Sequence, residues 1–381
     1  MKIAKCLLPL LLAVLVILGV GCSHVDKTDV EEVITSELDL LKNPDSETIQ
    51  KYISYKELFP DATEETKLSD DIKEVFSLFF QDFDYKILNI DVDKENKTAV
   101  ASVRLSTIDA QTLAKDFAAS LLNTEILEAA KNNSQNTNET ASSLEKRYVL
   151  LNQLLKDNKY KSVDNDCTIQ LVNKGSEKDL WEIKRTYSLE NDLVGGLITY
   201  LSDNDILPPE DTLAVYLNTL KTMNEEEMSN YLGVESILNT SDTEKSAIAS
   251  ALVEQVHQNF NYEVTEVNIT GYTADIKAEI TTFDSDAILS AYEQELETYL
   301  NSPEAVIEGS QKRYEHAHEL LLSIIESNTE VKTAQADFHL VNNGAAWKLE
   351  DDNQELGNAI FGTLSTTPTE SLDENAVSEE S

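Results

Sequence analysis

Two stretches of alternating apolar and polar residues organise this chain. The first runs from Phe83-Asp84-Tyr85 through Ile87 and Ile90 to Thr98-Ala99, Val103 and Ser106-Thr107-Ile108-Asp109. The second runs from Phe260-Asn261-Tyr262 through Val264 and Val267 to Thr273-Ala274, Ala278 and Thr281-Thr282-Phe283-Asp284. A period of two predicts strands, because successive side chains point to opposite faces. In the first strand Tyr85, Ile87, Asn89 and Asp91 are expected opposite Lys86, Leu88, Ile90 and Val92. Asp93-Lys94-Glu95-Asn96 reads as a turn. In the next strand Val100, Ser102, Arg104 and Ser106 oppose Ala101, Val103, Leu105 and Thr107. Each stretch is a predicted hairpin.

Helical spacing surrounds the hairpins. Val30, Val33, Ile34, Leu38 and Leu41 share one face of a helix that Asn43-Pro44 ends. Ile49, Tyr52 and Ile53 mark a second helix. Val75, Phe76, Phe79 and Phe80, with Ile72, mark a third over 61–82. After the first hairpin, Asp109 opens a helix through Leu113, Phe117, Leu121, Leu122, Ile126 and Leu127. Residues 132–143 are rich in Asn, Ser and Thr and read as a loop. A helix over 144–155 precedes strands at 166–174 and 180–187. A closing helix is expected at 191–201, interrupted by Gly195-Gly196.

The same order then recurs. Leu213, Leu217 and Leu220 open a helix, and Asn224-Glu225-Glu226-Glu227 has capping-box spacing. Met228, Tyr231 and Leu232 match Ile49, Tyr52 and Ile53. Lys312-Arg313-Tyr314 parallels Lys146-Arg147-Tyr148, and Trp347 parallels Trp181. So many matches in one order indicate a duplicated unit. The expected organisation is a signal peptide at 1–21, a tether at 22–28 and a first α+β repeat at 29–203. A linker at 204–210, a second α+β repeat at 211–364 and a disordered acidic tail at 365–381 follow. Helices segregated from antiparallel strands give an α+β class, two tandem copies of a helix-rich unit with a curved antiparallel sheet.

Leading helices followed by such a sheet resemble the NTF2-like and cystatin-like cone folds. The resemblance covers Asp29 to Leu364. It implies a pocket between sheet and helices, used in different members for small ligands, for protein contact or for catalysis. The helical pair between the hairpins departs from the simplest form of that fold.

The N-terminus addresses location. Met1-Lys2-Ile3-Ala4-Lys5 is basic, Cys6 to Val20 is apolar apart from Pro9 and Gly19, and Gly21-Cys22 precedes a polar turn of sequence. That is the build of an export signal. Gly19-Val20-Gly21-Cys22 resembles the lipobox of bacterial lipoproteins, with Gly19 where Leu is commonest. The resemblance implies cleavage before Cys22, acylation of Cys22, and a protein held to the extracytoplasmic face of the cell membrane by lipid. Tandem domains behind a lipobox resemble the uncharacterised lipoproteins of Gram-positive bacteria. The alternatives are an uncleaved anchor or ordinary secretion. The apolar run is shorter than the roughly 20 residues a spanning helix needs.

Charge narrows the partners. Thirty bases against seventy acids give −40 at pH 7. Loss of Lys2 and Lys5 with the signal would leave −42. Such a surface repels phosphates, so nucleic acid is not an expected partner. A protein or a small molecule is.

Candidate chemistry is sparse. His316-Ala317-His318 lies between Glu315 and Glu319, but i and i+2 diverge on a helix, so no metal site is expected. Asp109 and Asp284 stand where a strand hands over to a helix. A pocket carboxylate is one reading, and an N-cap explains both copies without chemistry. Tyr148 and Tyr314 follow Lys-Arg in each copy and fit amphipathic packing. Cys167 alternates with Ile169 and Leu171, and Ala336 takes its place in the second copy, which suits a small buried position. Trp181 and Trp347 are expected in the core. No catalytic residue and no cofactor site is nominated. The expected function is a lipid-anchored binding or interaction module. The alternatives are a solute receptor for a transporter, or a cone-pocket isomerase or hydrolase.

Overall fold

The computed structural model describes residues 27–44, 58–59, 70–131, 144–175, 180–232, 243–350 and 354–365. The signal peptide, Cys22, the helix expected around Ile49, the loop at 132–143 and the tail beyond 365 lie outside the described residues. The chain divides into two compact units. Unit 1 comprises Met1–Ala118 and Thr140–Ile206, and unit 2 comprises Ala119–Glu139 and Leu207–Ser381. Residues 119–131, within the span expected as the first repeat, thus fall in unit 2.

Unit 1 opens with helix α1 at 27–39 and a 3-10 turn, Leu40–Lys42. Residues 27 and 28, expected in the tether, are already helical. Val30, Ile34, Leu38 and Leu41 are buried along one face, as their spacing predicts. Helix α2 (Asp70–Phe79) buries Val75, Phe76 and Phe79, with Phe80 just beyond its end. Strands β1 (Asp84–Asp93) and β2 (Thr98–Ile108) form the predicted hairpin. Helix α3 (Ala110–Lys131) and helix α4 (Leu144–Asp157) separate it from β3 (Ser162–Asn173) and β4 (Trp181–Ile183). The four strands form one antiparallel sheet in chain order.

The fourth strand was expected to reach Tyr187, and it is much shorter. Thr186 caps a helix instead, its hydroxyl accepting from the Leu189 amide, and α5 (Tyr187–Leu193) begins there. The closing helix is likewise two pieces, α5 and α6 (Leu197–Leu201). Gly195 and Gly196 between them have φ of +61° and +89°, which a side chain would strain.

Unit 2 repeats this order. Helix α7 (Pro209–Thr219) starts inside the expected linker, with Pro209 at the first helical position. Helix α8 (Glu225–Leu232) has its capping box: the Glu227 amide donates to Asn224 Oδ1 at 3.0 Å and the Asn224 amide to Glu227 Oε2 at 3.1 Å. Helix α9 (Thr243–Asn259) leads into β5 (Asn261–Thr270) and β6 (Thr273–Phe283). Helices α10 (Ser285–Leu300), α11 (Pro303–Ile307) and α12 (Ser310–Ser327) precede β7 (Val331–Asn342) and β8 (Trp347–Leu349). Helix α13 (Gln354–Phe361) closes the unit. Its sheet is again antiparallel in chain order.

Each sheet buries one face. On β2 these are Ala99, Ala101, Val103 and Leu105; on β6 they are Ala274, Ile276, Ala278 and Ile280. The burial sequence along the two strands is identical, residue for residue. The outer faces are polar. Arg104 donates from two nitrogens to both oxygens of Asp166, its direct neighbour across the sheet.

The first strand of each hairpin departs from strict alternation. The register with β2 shifts between Ile87 and Asn89, and that of β5 with β6 between Val264 and Glu266. Leu88 is the bulged residue and is 43% exposed, whereas Ile90 is buried. Tyr85, Ile87, Ile90 and Val92 therefore share the inner side, which simple alternation would not allow. The spacing of two and then three in Tyr85-Ile87-Ile90 recurs in Tyr262-Val264-Val267, so the bulge is written in both copies.

Cys167 faces inward on β3 opposite Val103, and Ala336 does so on β7 opposite Ala278. Burial, with Asp192 and Asp166 adding repulsion, pushes the Cys167 thiol up to about 12. Deleting Leu88 should straighten the strand into plain alternation with Ile90 and Val92 still inward and cost about 1 kcal/mol or less in urea unfolding, while Ile90→Asp should cost about 3 kcal/mol or more. A deletion as costly as Ile90→Asp would mean that Leu88 is not the extra residue. In a chain beginning at Ser23, a thiol reagent at pH 8 should modify Cys167 no faster than the protein opens, and fully in denaturant. Native labelling at the rate of a small thiol would overturn its burial.

Candidate functional site

A groove of ≈ 370 Å³ opens on unit 1 between α1, β4 and α5. The period-3.6 pattern of α1 sends its strongest apolar residues into the core and leaves Val33 and Glu37 on the groove side. Strand β4 supplies Trp181 and Ile183 on one side of its pleat, with Glu182 also lining the opening. Helix α5 supplies Leu189 and Glu190. The groove thus has apolar walls and an ionic floor. Arg185 Nε donates to Glu190 Oε1. The Glu190 side chain is only 8% exposed, against 45% for Arg185. Removing Arg185 would take the guanidinium partner from a carboxylate that is almost wholly covered.

Unit 2 allows the same place to be compared. Tyr85 donates to Asp39 Oδ1 at 3.0 Å, and Asn218 Nδ2 donates to the Tyr262 hydroxyl at 3.0 Å. Lys42 lies over the Tyr85 ring, and Lys221 lies over that of Tyr262. These pairs align α1 with α7, so that Glu37 corresponds to Tyr216, Val33 to Thr212 and Leu40 to Thr219. Trp181 and Trp347 occupy matching register positions opposite Asn173 and Asn342, so Glu182 corresponds to Lys348 and Ile183 to Leu349. The aligned positions differ in chemistry. The Tyr216 hydroxyl hydrogen-bonds to the backbone of Leu349, and burial raises its pKa. A phenol therefore spans from α7 to β8 where unit 1 has a shorter carboxylate. Leu189 and Leu193 match Leu356 and Ile360, which are buried in unit 2. The position after Leu356 is Gly357, so the counterpart of Glu190 carries no side chain.

A second concavity, ≈ 330 Å³, lies on the outer face of the unit 2 sheet. His339 Nδ1 is 2.6 Å from Asp275 Oδ1, and its Nε2 is 3.3 Å from Glu350 Oε2. These groups are exposed, and the place is a shallow polar surface.

The residues singled out from sequence that lie among the described ones have definite settings. Asp109 Oδ1 accepts from the Thr112 amide at 3.0 Å, and Asp284 Oδ1 accepts from the amides of Asp286 and Ala287. Both are helix caps, and neither lines the groove. Tyr148 is fully buried, edge-on to Phe59. Tyr314 packs on His318, whose Nδ1 meets the Tyr314 carbonyl at 2.9 Å, and His316 stacks on Tyr299. Among the described residues no cluster of His, Cys, Asp and Glu has metal-binding geometry. Trp181 and Trp347 are buried, but Trp181 also forms a wall of the groove, which packing periodicity alone did not reveal. Glu37, Arg185 and Glu190 were not singled out. A signal existed, because Glu37 interrupts the apolar match between α1 and the Tyr216 position.

No helix among the described residues is long and apolar enough to cross a membrane. No family model matches the chain, and no curated protein matches it. Among solved structures the chain is similar to one from Bacillus subtilis described as "a putative lipoprotein (ycdA)", at 10% identity and a TM-score of 0.27, over 73% of this chain and 96% of that one.

Proposed function

We propose that this chain is a lipid-anchored extracytoplasmic binding protein, and that its unit 1 groove is the binding site. The observation that carries the site is the difference at aligned positions: Tyr216 spans the place in unit 2 that the Glu37 side leaves open in unit 1. Duplication preserves what folding needs, so a cavity kept in one copy and filled in the other points to use. The groove combines apolar walls with a few placed polar groups, the usual make-up of a binding site. Attachment rests on the N-terminal sequence, with Cys22 as the acylated residue. Two or more acyl chains hold a protein to a membrane where one does so only weakly.

Leading helices, a four-stranded antiparallel sheet and one covered face support an NTF2-like or cystatin-like plan for each unit, and fold likeness alone selects no activity. The transporter-receptor reading draws on parallel βαβ lobes, and the observed strand pairs are antiparallel. The enzymatic reading draws on a pocket acid or histidine beside a nucleophile, and the groove's acid Glu190 is already held by Arg185. The protein is therefore read as a binder.

The attachment is tested by fatty-acid labelling in a bacterial host. The intact chain should carry label and sediment with membranes, and Cys22→Ala should lose both. Label that persists on the variant overturns the anchor. For the site, Arg185→Ala should destabilise the protein by about 1 kcal/mol, since Glu190 loses its partner but Arg185 is half-exposed, and replacing both by Met and Leu should recover most of that. Urea unfolding of the three proteins decides this.

A further inference from the structure

The internal duplication also indicates what kind of molecule fits the groove. In unit 2 the corresponding surface is covered by the second half of α3. Ile126 and Ala130 are buried in the same apolar cluster as Leu213, Leu217, Met228 and Trp347. Asn123 Nδ2 donates to Thr219 Oγ1 of α7 at 2.7 Å, and Asn230 Nδ2 of α8 donates to the Ala130 carbonyl at 2.9 Å. Glu125 lies 3.6 Å from Lys348 Nζ on β8, and its charge acts on Tyr216. One amphipathic helical segment thus lies across α7, α8 and β8 by an apolar stripe, with an acid set against a base.

The aligned surface of unit 1 is built of more apolar residues and is less covered. Thr219 is 1% exposed, whereas Leu40, its counterpart, is 44% exposed. Thr212 is 1% exposed, and its counterpart Val33 lines the open groove. The charge is reversed. Lys348, which meets Glu125, has Glu182 in its place, and the groove lining holds Glu37, Glu182 and Glu190 against Arg185. The chain's own equivalent of the covering segment does not suit this surface. Aligned on Asp109 and Asp284, Ile126 and Leu127 become Asn301 and Ser302, and the neighbouring side chains include Glu295, Glu297 and Glu304. A second copy would bring acid to acid.

We infer that the unit 1 groove docks an amphipathic helix from another protein, one that carries Lys or Arg where residues 119–131 carry Glu125 and Glu128. This rests on the groove being the binding site, and it deepens that reading by naming the occupant. The helix lays apolar residues spaced like Leu122, Ile126 and Ala130 along Leu40, Val33 and Ile183, the helix-in-groove mode of recognition. Its base sits near Glu182, competing there with Lys174, which pairs with Glu182 in the free protein. Partial exposure limits that pair to a modest share of the affinity and makes it a determinant of choice between partners.

The test uses the mature chain in detergent and two end-blocked peptides of sequence 117–131. One is the natural sequence, and the other carries Glu125→Lys and Glu128→Lys. A scrambled peptide of the second composition controls for general attraction to an acidic surface. The basic peptide should bind about fivefold or more tighter than the natural one. Glu182→Lys should reverse that preference. Leu40→Gln, at an exposed position on the apolar track, should weaken binding about fivefold or more while the unfolding midpoint is kept. Basic and scrambled peptides that bind alike, or a Leu40→Gln protein that binds undiminished, overturn the proposal. If neither peptide binds but a small molecule is released from the native protein on denaturation, and Glu37→Tyr removes it, the groove stands as a site and the helix is wrong. If concentration-dependent self-association is lost in Leu40→Gln, the occupant is a second copy, and the inference is likewise overturned.

Discussion

A sheet with one apolar face must have that face covered, and each unit of this protein is an answer to that requirement. On β2 and β6 the inner residues are small or β-branched near the middle, Ala101 and Val103 in one, Ile276 and Ala278 in the other. Small residues let helices approach closely, and the larger side chains come from those helices. The paired bulges keep a third apolar residue, Ile90 or Val267, on the inner side where plain alternation would have turned it outward. Turning a buried Ile or Val to water costs about 1.5–3 kcal/mol each, which is enough to fix the register. The helices follow from the sheet, and among the described residues the unit 1 groove is one place where their cover is incomplete.

The elements with strong periodicity were legible from the residues. The hairpins, α1, the capping box of α8 and the duplication itself all carry patterns of several residues that agree with one another. Asp109 and Asp284 recur because a strand passes directly into a helix, and the caps are local enough to be read from sequence. Boundaries were less legible. Strand β4 ends at Ile183 because Thr186 can cap a helix, a single hydroxyl outweighing an apparent alternation through Arg185. Alternation in β1 misplaced Asn89, although the conserved spacing between the copies contained the correction. The split ownership of α3 was hidden because its apolar residues read as one continuous helix. Leu113 and Phe117 are buried ahead of the division, while Ile126 and Ala130 are buried with unit 2.

The candidate site was the least legible part, for a physical reason. A groove is made by what is missing from a packed surface, and sequence patterns report what is present. Glu37 looks like any solvent-facing residue of an amphipathic helix. Only beside Tyr216 does it become informative, because the two occupy one position in two copies of one design. Similarly, Glu190 attracts no notice until its near-complete burial next to Arg185 is seen.

Duplication gives a protein an internal control, and the direction of divergence here has a consistent electrostatic sense. Where unit 2 is closed by its own segment, the meeting charges are opposite in sign, Lys348 with Glu125 and Glu227 with Lys131. The aligned rim of unit 1 has Glu182 in place of Lys348, on a chain whose net charge is already −40. An acidic rim around apolar walls disfavours filling by segments of the same acidic chain, since each such segment brings like charge to the contact. That is a way of keeping a sticky surface unoccupied by self while leaving it open to a basic visitor. Repulsion from self and attraction to a partner are then one property of the same few carboxylates, and neither requires a change in the fold that both units share.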